Sequence, residues 1–123
     1  MLVSFCPFPI VLGRPDATPL QSSGAAVATS PRAGAHAILA PVDGVPVRYY
    51  ADPTDVVGLP STLPDGAEGA VVPLAVAAAM RAGAHKRTYR LFSPAPLREE
   101  GGVRYAPHLV FHDDLLLEQE GPR

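Results

Sequence analysis

The chain has 123 residues, enough for one hydrophobic core and too few for two independent ones. Ten basic against 12 acidic residues give a formal charge of −2, so the molecule has no overall field to gather long nucleic acid or a membrane surface, and any anion site must be local. Fifteen Pro and 11 Gly without a period exclude collagen and long helices, while the single cysteine, Cys6, excludes an intrachain disulfide and a cysteine-based zinc site and fits a reducing compartment.

The opening MLVSFCPFPIVLG is apolar but lacks a basic segment and is interrupted by Pro7 and Pro9, which reads against a signal peptide. Residues 9–13 form a first apolar strand. It turns at Arg14-Pro15-Asp16-Ala17, where Pro presets φ and Asp bonds its own backbone, and returns through residues 18–21. Ser22-Ser23-Gly24 then breaks the chain before a small-residue strand at 25–29. Strands at 36–42 and 45–50 flank Asp43-Gly44, a dipeptide suited to a two-residue turn in which both central positions want φ above zero. Pro41 and Pro46 lack an N–H, so at least one of these strands lies on an edge or carries a bulge. Residues 52–69, with three prolines and several acids, read as a long surface loop.

The one helix is VVPLAVAAAMRA at 71–82. Pro73 suits its first position, five alanines carry the highest helix propensity, and Gly83 suits a left-handed residue beyond its end. Residues 86–93 alternate as a strand that Pro94 and Pro96 terminate, and 103–112 form a last strand reached through Glu99-Glu100-Gly101-Gly102. Residues 1–112 therefore read as a single β-rich domain and 113–123 as an acidic C-terminal tail, which either docks on a neighbouring subunit or frays. The expected fold is mainly β (α+β), an antiparallel sandwich or small partly closed barrel with one short helix packed across it.

Catalytic signatures are scarce. His108 and His112 have a spacing that on a helix would share one face, but on the expected strand it separates them by about 13 Å, too far to share a metal. No G-x-S-x-G turn and no Gly-Lys-Ser/Thr phosphate loop is present, and Cys6 has no partner evident in the sequence. No catalytic residue, metal or cofactor is assigned. The densest cationic stretch runs from Arg81 to Arg90. Within it His85, Lys86, Arg87 and Arg90 could hold a phosphate by forked hydrogen bonds, with Tyr89 stacking on a base. Arg48 and Tyr49 form a second, weaker instance. The plainer alternative is a wet strand face following a helix C-terminus.

The order of short signals resembles a group of small uncharacterised proteins encoded by bacteriophages and actinobacteria. These signals are Pro7-Phe8-Pro9, Ser22-Ser23-Gly24, Gly44-Val45-Pro46-Val47, Gly58-Leu59-Pro60, the Ala-rich helix, and Pro94-Ala95-Pro96-Leu97-Arg98-Glu99. Phe8 stands where the group often has His, and the acidic ending departs from it. The resemblance implies a phage or prophage origin and hence the host cytoplasm. The expected function is a non-catalytic, homo-oligomeric binding protein that sequesters a small phosphorylated, nucleotide-derived signal as a counter-defence factor. Two alternatives stay open: a virion or head-tail accessory structural protein, and a small nucleotide-processing enzyme.

Overall fold

Gly69, Ala70 and Val71 are all buried, and a strand covered on both faces reads as a continuous run of small and β-branched apolar residues, without alternation. That run is the centre of the molecule. The computed structural model describes residues 1–29, 36–50 and 52–117, with the side chains of 36–39 and 48–50 outside the description. In chain order its elements are β1 (Leu2–Ser4), β2 (Val27–Thr29), β3 (His36–Val42), β4 (Val45–Tyr50), β5 (Asp55–Val57) and β6 (Gly69–Val71). Then follow α1 (Leu74–Ala82), β7 (Arg90–Pro94), β8 (Arg98–Glu100), β9 (Val103–Tyr105), β10 (Leu109–Phe111) and a 3-10 turn (Asp113–Leu115).

The main sheet has the order β1-β6-β7-β10. β6 lies parallel to both β1 and β7, with α1 as the crossover from β6 to β7, and β10 closes the row antiparallel to β7. Three antiparallel ribbons surround it: β2–β5, β3–β4 and β8–β9. Among the described residues the fold is thus mainly β with one α-helix, and none of the sheets closes into a barrel.

Two apolar layers sandwich the main sheet. On one face α1 buries Val76, Ala77 and Met80 against Val3, Ala70 and Leu91, with Phe5, Ala26, Leu59 and Leu115 filling the margins. On the other face the first hairpin lays Ile10, Leu12 and Leu20 over Val71, Leu2, Leu109 and Cys6. The two arms of this turn meet at one antiparallel bridge, with reciprocal Ile10–Leu20 backbone bonds of 3.0 and 2.7 Å and the Ala17 N–H on the Arg14 carbonyl, and do not form the strands expected at 9–13 and 18–21.

The helix begins at Leu74, later than the sequence suggests, because Val71 belongs to β6 and Pro73 is the cap residue. Its end also differs in detail. Gly83 has φ −91°, and Ala84 takes the left-handed conformation at φ 56°. Glycine is needed at 83 because a β-carbon there would run into the Thr54 carbonyl oxygen. The Asp43-Gly44 turn has both residues at positive φ, 48° and 73°, and a bulge lies between Leu39 and Val42, beside Pro41. Residues 52–69 hold β5 and the buried Leu59, so this stretch is more than a surface loop. The expected last strand is two, β9 and β10, separated by Ala106-Pro107-His108. Residues 113–117 pack onto the body, with Leu115 buried at 2% exposure. No helix among the described residues is long and apolar enough to cross a membrane.

Candidate functional site

Leaving α1, the chain returns to the sheet through the cationic stretch. The His85 N–H donates to the Met80 carbonyl, and Arg87 pairs with residues 115–117, its N–H on Leu115 O at 2.9 Å and its carbonyl taking Leu117 N–H at 2.7 Å. Burial alternates along this stretch, although Thr88 and Tyr89 form a bend and the strand expected from 86 begins only at Arg90: Lys86, Thr88 and Arg90 are exposed, while His85, Arg87 and Tyr89 are half-buried.

The inward set is engaged in the fold. His85 Nε2 lies 3.0 Å from the Thr54 carbonyl, which can only accept, so this nitrogen carries the proton; Asp55 Oδ1 is 3.6 Å away. The Arg87 guanidinium donates to three carbonyls: Nε to Pro60 at 3.1 Å, Nη1 to Lys86 at 3.1 Å and Nη2 to Leu59 at 3.3 Å. The Tyr89 hydroxyl donates to the same Pro60 carbonyl at 2.6 Å, its ring packed against the core. Burial pushes the Tyr89 phenol up, against the pull of nearby Arg87, which keeps it a neutral donor. Arg87 and Tyr89 thereby fasten residues 59–60 to the sheet.

An arginine offers five N–H groups, so two on Arg87 remain uncommitted in these bonds. Arg87 also lines a depression of about 320 Å3 with Ser61, Lys86, Thr88 and Leu117. A second depression of about 460 Å3 shares Thr88 and Leu117 with it and adds Ala67, Glu68, Tyr89, Arg90 and Leu116. The two make one shallow trough over Thr88. It brings together Lys86, Arg87, Tyr89 and Arg90 and leaves His85 outside; the side chains of Arg48 and Tyr49 lie outside the described residues.

Two features escape sequence reading. The first is an apolar crevice of about 260 Å3 at the carboxyl ends of the parallel strands, lined by Cys6, Pro7, Phe8, Ile10, Pro73, Leu74, Pro94 and Leu97. Open α/β sheets place ligand crevices at this end. The signal was a proline at or just after the end of each parallel strand, at 7, 73 and 94, but recognising it requires knowing that those strands are neighbours. Burial pushes the Cys6 thiol up, opposing a thiolate there.

The second feature is a chain of polar groups that runs from the buried Ser93 and His112 out to the exposed Arg81 and Asp114. His112 Nε2 lies 2.8 Å from Ser93 Oγ, and Ser93 Oγ donates to the Val72 carbonyl at 2.7 Å. Arg81 Nη2 approaches His112 Nδ1 at 3.4 Å and can only donate, so Nδ1 is the bare nitrogen and Nε2 carries the hydrogen. Arg81 in turn grips Asp114 through Nε and Nη2. The Ser93 proton therefore points at a carbonyl and away from the imidazole, the reverse of a nucleophile facing its base. With Ser93 fully buried, this is a structural network. The spacing of His108 and His112 acquires no common ligand either: His108 is exposed and His112 is 6% exposed. No family model matches the chain, and no curated protein and no solved structure was found to match it.

Proposed function

We propose that the chain is a non-catalytic binding protein that captures a small phosphorylated, nucleotide-derived ligand in the trough over Thr88. In a phage or prophage it would act as a counter-defence factor, by stoichiometric sequestration of a signal. The observation that carries this reading is the composition of the smaller depression: Lys86, Arg87, Ser61 and Thr88 line it together with Leu117, and no carboxylate among the described residues does. Because three carbonyls already fix the guanidinium, a phosphate meets a pre-positioned fork, at less entropic cost than with a free arginine. The adjoining depression has room for the remainder of a nucleotide beside Tyr89 and Arg90, while Glu68 there accepts from hydroxyl or amino groups.

Calorimetric titration with a panel of cyclic and ADP-ribose-derived nucleotides tests this, with the bound ligand recovered chemically unchanged after heat release. Lys86 makes no side-chain bond among the described residues, so Lys86→Ala should keep the fold and weaken binding about tenfold to a hundredfold, as expected for a charge-assisted bond. Affinity indifferent to that substitution sinks the reading; formation of a product would identify an enzyme.

One observation favours a second reading, an accessory structural protein of a virion. The β3–β4 ribbon packs against no other strand or helix among the described residues and exposes Val42 and Val45 at 62% and 59%. That is the form of an assembly arm, and recovery of the protein in purified particles would support it.

A further inference from the structure

We infer that two copies of this chain pair edge to edge through β10, extending the main sheet across a two-fold axis. The inference is independent of any ligand. It starts from which backbone groups face outward. His112 N–H donates to Leu91 O at 3.0 Å, and Phe92 gives its carbonyl to Val72 N–H on the β6 side at 2.8 Å. With Val110 opposite Ser93 and Phe111 opposite Phe92, alternation in an antiparallel ladder directs Val110 and His112 to β7 and turns the N–H and C=O of Leu109 and Phe111 to the open side. None of those groups has a hydrogen-bond partner among the described residues.

β10 is short, but it carries none of the other devices that keep a sheet edge from pairing: no proline, no lysine and no bulge within it. Instead it exposes apolar side chains, Val110 at 38% and Phe111 at 44%, the latter stacked on Phe92 with ring centroids 5.4 Å apart.

The occupant follows from self-complementarity. In an antiparallel pairing centred on Val110, Leu109 of one copy faces Phe111 of the other. These are the two residues whose backbone groups point outward, so each such pair exchanges both N–H···O bonds, while the two Val110 residues meet as the close, non-bonded pair on the axis. The Phe92–Phe111 stack then continues onto Leu109 of the second copy.

Sedimentation velocity of the full chain, from low to high micromolar concentration, tests the pairing. Wild type should run as a monomer–dimer equilibrium. Val110→Lys, which sets two ammonium groups against each other on the axis, should be monomeric with an unchanged circular dichroism spectrum, and Val110→Thr should still dimerise. As a check that needs no variant, wild-type amide exchange at Leu109 and Phe111 should slow by about tenfold or more on concentration. A wild type that stays monomeric, a dimer that survives V110K, or exchange at those two amides unaffected by concentration would overturn it.

Discussion

His112 is held neutral by its surroundings, and that has a measurable consequence. Burial is the main cause, with the Arg81 guanidinium beside it, and together they hold the imidazole below its ordinary 6.5. On acidification the unfolded chain takes up a proton near that value which the folded chain still refuses. The contribution is therefore complete above pH 6.5 and is lost as pH falls through the lower, folded value. Asp114, held below its ordinary 3.8 chiefly by its hydrogen bond to Arg81, adds a separate loss at more acid pH. Urea midpoints measured between about pH 7 and about pH 5 should fall, and His112→Asn should flatten that slope while lowering stability at neutral pH. Ser93→Ala should cost about 1–3 kcal/mol by urea unfolding, since it strands both the His112 Nε2–H and the Val72 carbonyl in a dry interior. The sequence displayed His112 but not this chain of bonds, because Ser93 and Arg81 reach it only once β7, α1 and β10 are packed.

Single elements depend on close approaches that local preference does not reveal. Gly83 is legible as a helix stop, yet its reason is the Thr54 carbonyl packed against it. Gly83→Ala should accordingly lower the free energy of unfolding, measured by urea denaturation, by more than about 1 kcal/mol, although alanine is the better helix former. The helix itself was readable from its alanines and from Pro73. What hid its first residues was burial on both sides, which turns Val71 into a sheet residue with no period to betray it. For the loop at residues 59–60 the hidden feature is the pair of anchors. Tyr89→Phe removes the bond to Pro60 O and should cost about 0.5–1.5 kcal/mol, with faster proteolytic cleavage around residues 58–64 as the local readout. Here the alternation of residues 86–90 was visible in the sequence. That its inward members would clasp carbonyls was not, since their partners lie some 28 positions away.

Over the whole molecule, a mainly β fold with one helix was legible from the spacing of Pro and Gly and from one Ala-rich run. The parallel centre was not: β1 and β6 stand 65 residues apart, and short apolar runs do not state their partners. The β3–β4 ribbon was the clearest reading, because Asp43-Gly44 specifies its own turn. His36 pairs with Tyr50, so its ends are adjacent, and replacing residues 36–50 by a short Gly-Ser link should leave the thermal midpoint of the remainder within a few degrees, measured by circular dichroism. A drop large enough to unfold the main sheet would show that the ribbon is integral to the core.

Such separateness bears on how the sequence can drift. Substitutions along the outer part of the ribbon escape the packing constraints that police the interior, so the surface it presents can diversify from one lineage to the next at little risk to folding.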